Sequence, residues 1–256
     1  MQFWAYLSKH WINGLAERIA LRFSVGGRSI LFASLLTTSL LTGAKKLEVL
    51  EALELFIFDH LIRSQEINPT SDPRLLIVGI TEQDIQQAVW PLSEQKLAKL
   101  LQTLQRHDPK VIGLNLYRLS ATSELATQLK ADNLIAIMNL GNGPKLGEVP
   151  PPKMVPWERI GFDNLVFDPD GVLRRNLLLV GPSDKPSYSF ALRVALAYLS
   201  PTPPIAYDDK SIFIGNVKVP ILNPGSGGYQ SADASGYQIL LRYRTSQTPA
   251  RQLTVS

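Results

Sequence analysis

Hydrophobic positions along the chain change their spacing several times, and each change marks an element. Ser29 to Ala44 (SILFASLLTTSLLTGA) holds no charge and no proline. Its sixteen residues extend roughly 24 Å as a helix, short of a hydrocarbon core of about 30 Å. Arg28 and Lys45 can snorkel at its two ends. The pattern predicts a transmembrane helix over 29–46. A cleaved signal peptide ending at Thr42-Gly43-Ala44, or a helix buried in a soluble protein, is compatible with the same pattern. LEVLEALELFIFDHLIR follows. There Leu47, Leu50, Leu53, Ile57 and Leu61 recur near helical spacing, and Glu48, Glu51 and Glu54 form a polar stripe. Only Gly43 interrupts, so one nearly continuous helix is predicted to run from the membrane onto a folded domain.

Beyond the turn-rich Asn68–Pro73, apolar runs alternate with helical stripes. Leu75–Ile80 is a continuous apolar run, as in strands buried on both faces. Ser93 caps a helix striped by Leu97, Leu100, Leu101 and Leu104, and Asp108-Pro109 ends it. VIGLNLY at 111–117 is a second strand, 123–130 a short helix, and 134–140 a third strand, giving two βαβ units. A proline-rich loop over 141–159 leads into 161–180, where Asp168-Pro169-Asp170-Gly171 predicts a hairpin turn. A helix from Ser187 to Leu199, a hairpin turning at Gly215-Asn216, and a strand at Gln238–Arg244 complete the pattern. The fold class read from this order is α/β: a mixed, mainly parallel sheet with βαβ units plus β-hairpins, preceded by a transmembrane helix.

Charge sharpens the N-terminal reading. Up to Lys46 there are six basic residues against the single Glu17, within a chain of net charge +4, so the rest is close to neutral. Basic residues that flank the most apolar stretch suit anionic lipid, not nucleic acid. Arg18, Arg22 and Arg28 before the span outnumber Lys45 and Lys46 after it, which places the N-terminus inside and the large domain outside the cytoplasm. Residues 1–28, with Trp4, Tyr6 and Trp11 among basic residues, read as a cytoplasmic tail or an interfacial helix. There is no cysteine, which excludes disulfides, thiolate metal sites and cysteine nucleophiles.

The order of these pieces resembles the CHASE2 family, sensory domains that lie outside the cytoplasm in bacterial receptors. The stretches that carry the resemblance are LEVLEALELFIFDHLIR, DPRLLIVGITEQDI, WPLSEQKLAKLLQTLQRHDPKVIGLNLYR, IGFDNLVFDPDGVLRRNLLLV, YSFALRVALAYL and GGYQSADASGYQILLRYR. They run from about Leu47 to the C-terminus, so 47–256 is taken as the sensory domain. The resemblance implies a membrane-anchored input module, further membrane helices and a cytoplasmic output such as a kinase or cyclase. Those later parts are missing from this chain, and its ending at LTVS suggests a cut inside a longer protein. Asn115 stands where the family commonly has aspartate, which puts a charge-dependent role there in doubt.

Candidate chemistry is sparse. Gly141-Asn142-Gly143 lacks the helix start that a phosphate loop needs, because Pro150–Pro152 follow. Asp168-Pro169-Asp170-Gly171 lacks the glutamate of a calcium loop: its twelfth position is Leu179. His10, His60 and His107 are far apart, and no cofactor is expected. Arg174 and Arg175 are adjacent, so on a strand at most one faces a given cleft. Ligands of open α/β sheets favour the carboxyl ends of parallel strands. Those ends carry Thr81, Glu82 and Asp84, then Asn115, Tyr117 and Arg118, then Asn139, a candidate cleft for a polar small molecule. Three functions follow: a sensory input domain answering an unknown small-molecule or physical stimulus; a structural module mediating homodimers; and a membrane-tethered enzyme using Glu82 or Asp84. The sensory reading leads, with the lipid bilayer as partner, no nucleic acid and no catalysis.

Overall fold

The computed structural model describes residues 25–46, 50–65, 71–87, 91–141, 147–182, 185–199, 201–208, 210–243 and 248–255. Most of the predicted interfacial segment, the 47–49 junction of the long helix and the Asn142-Gly143 step lie outside them. Val25–Lys46 is one helix, α1, and Ile30, Phe32, Leu35, Leu36, Leu40 and Leu41 stand exposed on it. The helix predicted from Ser29 is therefore present. No helix among the described residues is long and apolar enough to cross a membrane. Six Ser and Thr residues dilute the apolar run between 29 and 42, and Arg28 limits its start.

Glu51–Ser64 forms α2, as its spacing predicts, but the helix docks on a different face. Leu55 is buried and Phe58, Asp59 and Ile62 are half-buried, whereas Leu53, Ile57 and Leu61 of the predicted stripe are exposed. The docking surface is the loop near Gly228. A Cβ at Gly228 would stand 2.8 Å from the Glu54 carbonyl carbon, so only glycine admits the α2 backbone so closely.

The centre of the domain is a parallel sheet of three strands, β2 (Ile112–Leu114), β3 (Leu134–Leu140) and β5 (Ile160–Phe162), with β3 in the middle. The two-residue β4 (Glu148–Val149) runs antiparallel along the end of β3. Alternate side chains of β3 serve two faces. Leu134, Ala136 and Met138 join a core with Leu97, Leu101, Leu125 and Leu129 from α4 (Glu94–Gln105) and α5 (Ser123–Leu129). Ser93 caps α4 through its side chain, as predicted. On the opposite face packs α6 (Phe190–Tyr198), capped by Ser189. A Cβ on Gly161 of β5 would overlap the Phe190 backbone, 2.7 Å from its nitrogen, so glycine lets α6 lie against the sheet.

Three other sheets surround this centre. β6 (Arg175–Val180) pairs antiparallel with β7 (Ser187–Tyr188) and β11 (Tyr237–Leu240). β8 (Ile205–Asp208), β9 (Ser211–Ile214) and β10 (Val217–Pro220) form a meander whose second turn is at the predicted Gly215-Asn216. The first strand, β1 (Asp72–Gly79), pairs among the described residues only with β12 (Ala250–Thr254), in parallel.

Three expectations are corrected by this topology. The sheets are mixed and not mainly parallel, because the two outer sheets are wholly antiparallel. One βαβ unit, β2–α5–β3, forms in place of two, since β1 joins β12 and leaves Leu75, Leu76 and Ile77 exposed. An unbroken apolar run identifies a strand but not its partner. The hairpin over 161–180 shrinks to the Val166–Arg175 bridge and a turn in which the Gly171 amide donates to Asp168 O and the Asp168 amide to Val172 O, because β5 takes β3 as its partner.

Candidate functional site

The carboxyl ends of the parallel strands converge on a polar cluster. Tyr117, just beyond β2, donates from its hydroxyl to Asp163 Oδ2 at 2.5 Å. Asn139, near the end of β3, donates to Asp163 Oδ1 at 3.1 Å and to the Tyr117 hydroxyl at 3.3 Å. Asn164 donates to Asn139 Oδ1 at 3.2 Å and accepts from the Leu140 amide. Desolvation, reinforced by the bond to Asp163, pushes the Tyr117 phenol up, so it stays a proton donor. Arg118 donates to Leu92 O at 2.7 Å through Nη2 and to Tyr117 O through Nη1. Its Nε is buried without a partner, the state that costs most for a polar group. Asn115 is exposed beside them at the end of β2.

Thr81, Glu82 and Asp84 sit elsewhere, beyond the end of β1 and at the start of α3 (Glu82–Gln87). Asp84 accepts from the Thr81 amide at 2.8 Å and from its hydroxyl at 2.6 Å, while the Asp84 amide donates back to Thr81 Oγ1. This reciprocal pairing caps a helix start. Glu82 is exposed and accepts from Gln86 at 3.4 Å. The seven residues thus divide between two sheets: Tyr117 bonds Asn139 and Arg118 at one, and Thr81 bonds Asp84 at the other. Asp163 and Asn164 were missed by sequence reasoning. Their signal was the Gly161-Phe162-Asp163-Asn164 segment at the end of a third parallel strand, hidden by the hairpin reading.

A second cluster is ionic. Arg174 pairs bidentately with Asp59 of α2, Nε and Nη2 each 2.8 Å from its oxygens. The same guanidinium reaches Asp168 at 2.8 Å and Asp170 at 2.6 Å. Arg175 holds the other oxygen of Asp168 at 2.7 Å and also reaches Gln238 and the carbonyl of Asp233. Tyr229 donates to Asp168 at 2.6 Å, and the Arg175 guanidinium lies 5.0 Å from its ring centre. The Asp168 side chain is 0% exposed. Three carboxylates raise the proton affinity of Arg174, Asp59 first. Burial, then the bond to Asp168, pushes the Tyr229 phenol up. Hydrogen bonding to Arg174 holds Asp170 below the usual carboxylate range.

Adjacent arginines were expected to face apart. Both reach Asp168 because Arg174 precedes β6, where strand alternation does not bind it. The faint calcium-loop aspartates are thus engaged by guanidinium groups, which supply the charge a cation would. Beside Asp59 and Arg174 lies a cavity of about 270 Å³ bounded by Phe58, Ile62, Leu173 and Tyr243.

A cleft of about 640 Å³ opens at the amino ends of the same parallel strands. Lys110, Asn133 and Arg159 precede β2, β3 and β5 there, and Arg193 and Leu196 of α6 form a wall. It lies opposite the edge where a ligand was expected.

Comparison with known proteins gives one family. The CHASE2 domain matches residues 32–256, well over half of the chain. No curated protein and no solved structure matches. The matched span takes in the strand-end cluster, the ionic cluster and most of α1. The chain belongs to the CHASE2 family, whose domains are sensory modules of membrane receptors.

Proposed function

We propose that this chain is the input module of a bacterial transmembrane receptor, anchored in the inner membrane by α1 with its main domain outside the cytoplasm. On this reading it detects an extracytoplasmic stimulus and relays it to an output domain carried by the receptor. The observation that carries the reading is the Asp59–Arg174 pair. It ties α2, the helix that follows the anchor in sequence, to the residue that leads into β6. A shift in the domain is thereby coupled to the path towards the bilayer. Exposed apolar side chains on α1 support the anchor, and the flanking basic residues support an inside N-terminus.

The strand-end residues Asn115, Tyr117, Arg118 and Asn139 are the proposed contact for a polar stimulus, with Thr81, Glu82 and Asp84 at the end of β1 in a separate sheet. Arg118, whose buried Nε has no partner among the described residues, supplies the positive charge of this contact. Alkaline phosphatase fused after Ser256 tests the orientation: activity is expected, and an inactive but stably expressed fusion would overturn it. In a receptor with its output attached, Arg118→Ala and Asp84→Ala should alter the response; unchanged signalling in both removes the strand-end contact.

A second reading, homodimerisation, is favoured by the apolar stripe of α2. Leu53, Phe56, Ile57 and Leu61 are each about half exposed or more, at i, i+3, i+4 and i+8. Sedimentation of the chain in detergent, with and without Phe56→Glu, checks this: a dimer that survives the substitution discounts the stripe.

A further inference from the structure

The cleft at the amino ends of the parallel strands contains a cation that the protein leaves unanswered. Arg193 donates through Nε to Ile160 O at 3.0 Å, and its guanidinium lies 4.3 Å from the Tyr188 ring centre. Those two contacts fix the plane of the group. Its Nη1 and Nη2 donate to nothing among the described residues, and no described carboxylate forms an ion pair with it. Burial lowers its proton affinity, while Tyr188 and Glu158 raise it only by charge at longer range. A half-buried, oriented guanidinium with a free fork fits a carboxylate.

The other lining groups narrow the choice of anion. Arg159 is committed to the carbonyl oxygens of Lys130 and Ala131, and Lys110 lies over the Tyr198 ring at 4.6 Å. Arg159 also has Asp132 4.0 Å from its Nη2, and the Lys110 ammonium is drawn towards the ring. Asp132 and Glu158, both exposed at the rim, repel a multiply charged ion. The remaining wall is mostly apolar, with Ile135, Leu196, Ala197, Pro203 and Ile205 beside the uncharged Asn133 and Thr202. A volume of about 640 Å³ is that of a small-molecule site, typically about 300–1,000 Å³.

We propose that this cleft binds a small monocarboxylate with an apolar or aromatic body. The carboxylate takes the fork of Arg193, and the body lies against Leu196 and Ile205. This site goes beyond the sensory reading, because binding is measured on the chain itself whether or not the domain signals.

Calorimetric titration of the full chain in detergent tests the proposal with three probes: benzoate, its uncharged counterpart benzamide, and inorganic phosphate. Benzoate should bind at least tenfold more tightly than benzamide, and phosphate should give no saturable heat. Arg193→Gln should weaken benzoate at least tenfold, and Arg193→Lys, which keeps the charge but loses the fork, several-fold. Thr202→Asp at the lip adds a competing negative charge without touching Arg193, and should also weaken benzoate. If Arg193→Gln does not fold, Thr202→Asp decides. No benzoate binding, equal binding of benzamide or phosphate, or wild-type affinity in Thr202→Asp together with any folded Arg193 variant overturns the proposal.

Discussion

Arg174 and Arg193 are both withdrawn from water, and their surroundings treat the charge in opposite ways. Arg174 meets Asp59, Asp168 and Asp170, and its neighbour Arg175 shares Asp168. Arg193 meets one carbonyl oxygen and one ring. The first arrangement is closed: each hydrogen bond ties two parts of the chain together, and a ligand would have to displace a carboxylate. The second is open, since the fork faces a cleft and no described carboxylate pairs with it, Glu158 acting only by charge from the rim. Buried charge that is fully paired positions structure; buried charge left half-answered is where binding energy is available. If that distinction is right, substitutions at the closed site should damage folding, and those at the open site should spare it.

The largest effect should come from Asp168→Ala. Its side chain is wholly buried between two guanidinium groups and the Tyr229 hydroxyl. Removing it leaves two buried cations short of their shared counter-ion, a loss on the order of 3–5 kcal/mol. Chemical denaturation followed by circular dichroism would measure it. A loss below about 1 kcal/mol, the size typical of an exposed pair, would show that the cluster is not closed in solution.

Asp59→Ala should cost less, about 1–3 kcal/mol, because Arg174 keeps Asp168 and Asp170. The damage should also be local. Limited proteolysis should cleave within α2 sooner than in the wild type, while the core under α4 and α5 stays protected. Uniform acceleration across the chain would mean that α2 is no separate unit.

Parts of this contrast were legible in the sequence. The helical stripe of 97–104, the Ser93 cap and the Gly215-Asn216 turn rest on local spacing, and each is found where spacing puts it. The Arg174–Arg175 pair was visible, although strand alternation assigned its two side chains to different faces. Its partners were not, because Asp59 lies 115 residues away and no periodicity encodes such a contact. The same reason hid β12, the partner of β1, and turned the expected βαβ unit into a separate two-stranded sheet. On α2 the spacing predicted the helix but not its docked face. There the glutamate stripe and the leucine stripe were weighed by hydrophobicity, yet a close backbone approach at Gly228 and an ion pair at Asp59 decide the contact. Strand-end placement of Asn115, Tyr117 and Asn139 followed from the parallel strands themselves. Asp163 was lost with the hairpin reading.

Acid should separate the two arginines by a smaller margin. Asp170 is held below the usual carboxylate range by Arg174, so folding lowers its proton affinity. Such a group adds stability above its unfolded pKa of about 4, and that contribution disappears as pH falls through the lower folded value. Melting temperature should therefore drop from about pH 5 towards pH 3, and Asp170→Asn should flatten part of that drop. Nearly half of the Asp170 side chain is exposed (48%), so solvent screening keeps the difference modest. Parallel curves for the two proteins would remove Asp170 from the closed set.

Arg193→Gln should have the smallest effect on folding, within about 1 kcal/mol of the wild type. The substitution gives up the hydrogen bond to Ile160 O and the stacking on Tyr188. Against this, it removes a cation whose proton affinity burial already lowers. The two contributions are of similar size and oppose each other, whereas at Asp168 the lost contacts to both guanidinium groups and Tyr229 outweigh the relief of its desolvation. Thermal unfolding without added carboxylate measures the balance, and Asp168→Ala in the same buffer sets the scale. A loss as large as that of Asp168→Ala would mean that Arg193 is paired within the protein after all, and the open site would become a second closed one. A loss near zero, combined with weakened benzoate binding, would separate what the two arginines do: one holds α2 to the domain, and the other is held ready for an anion from outside.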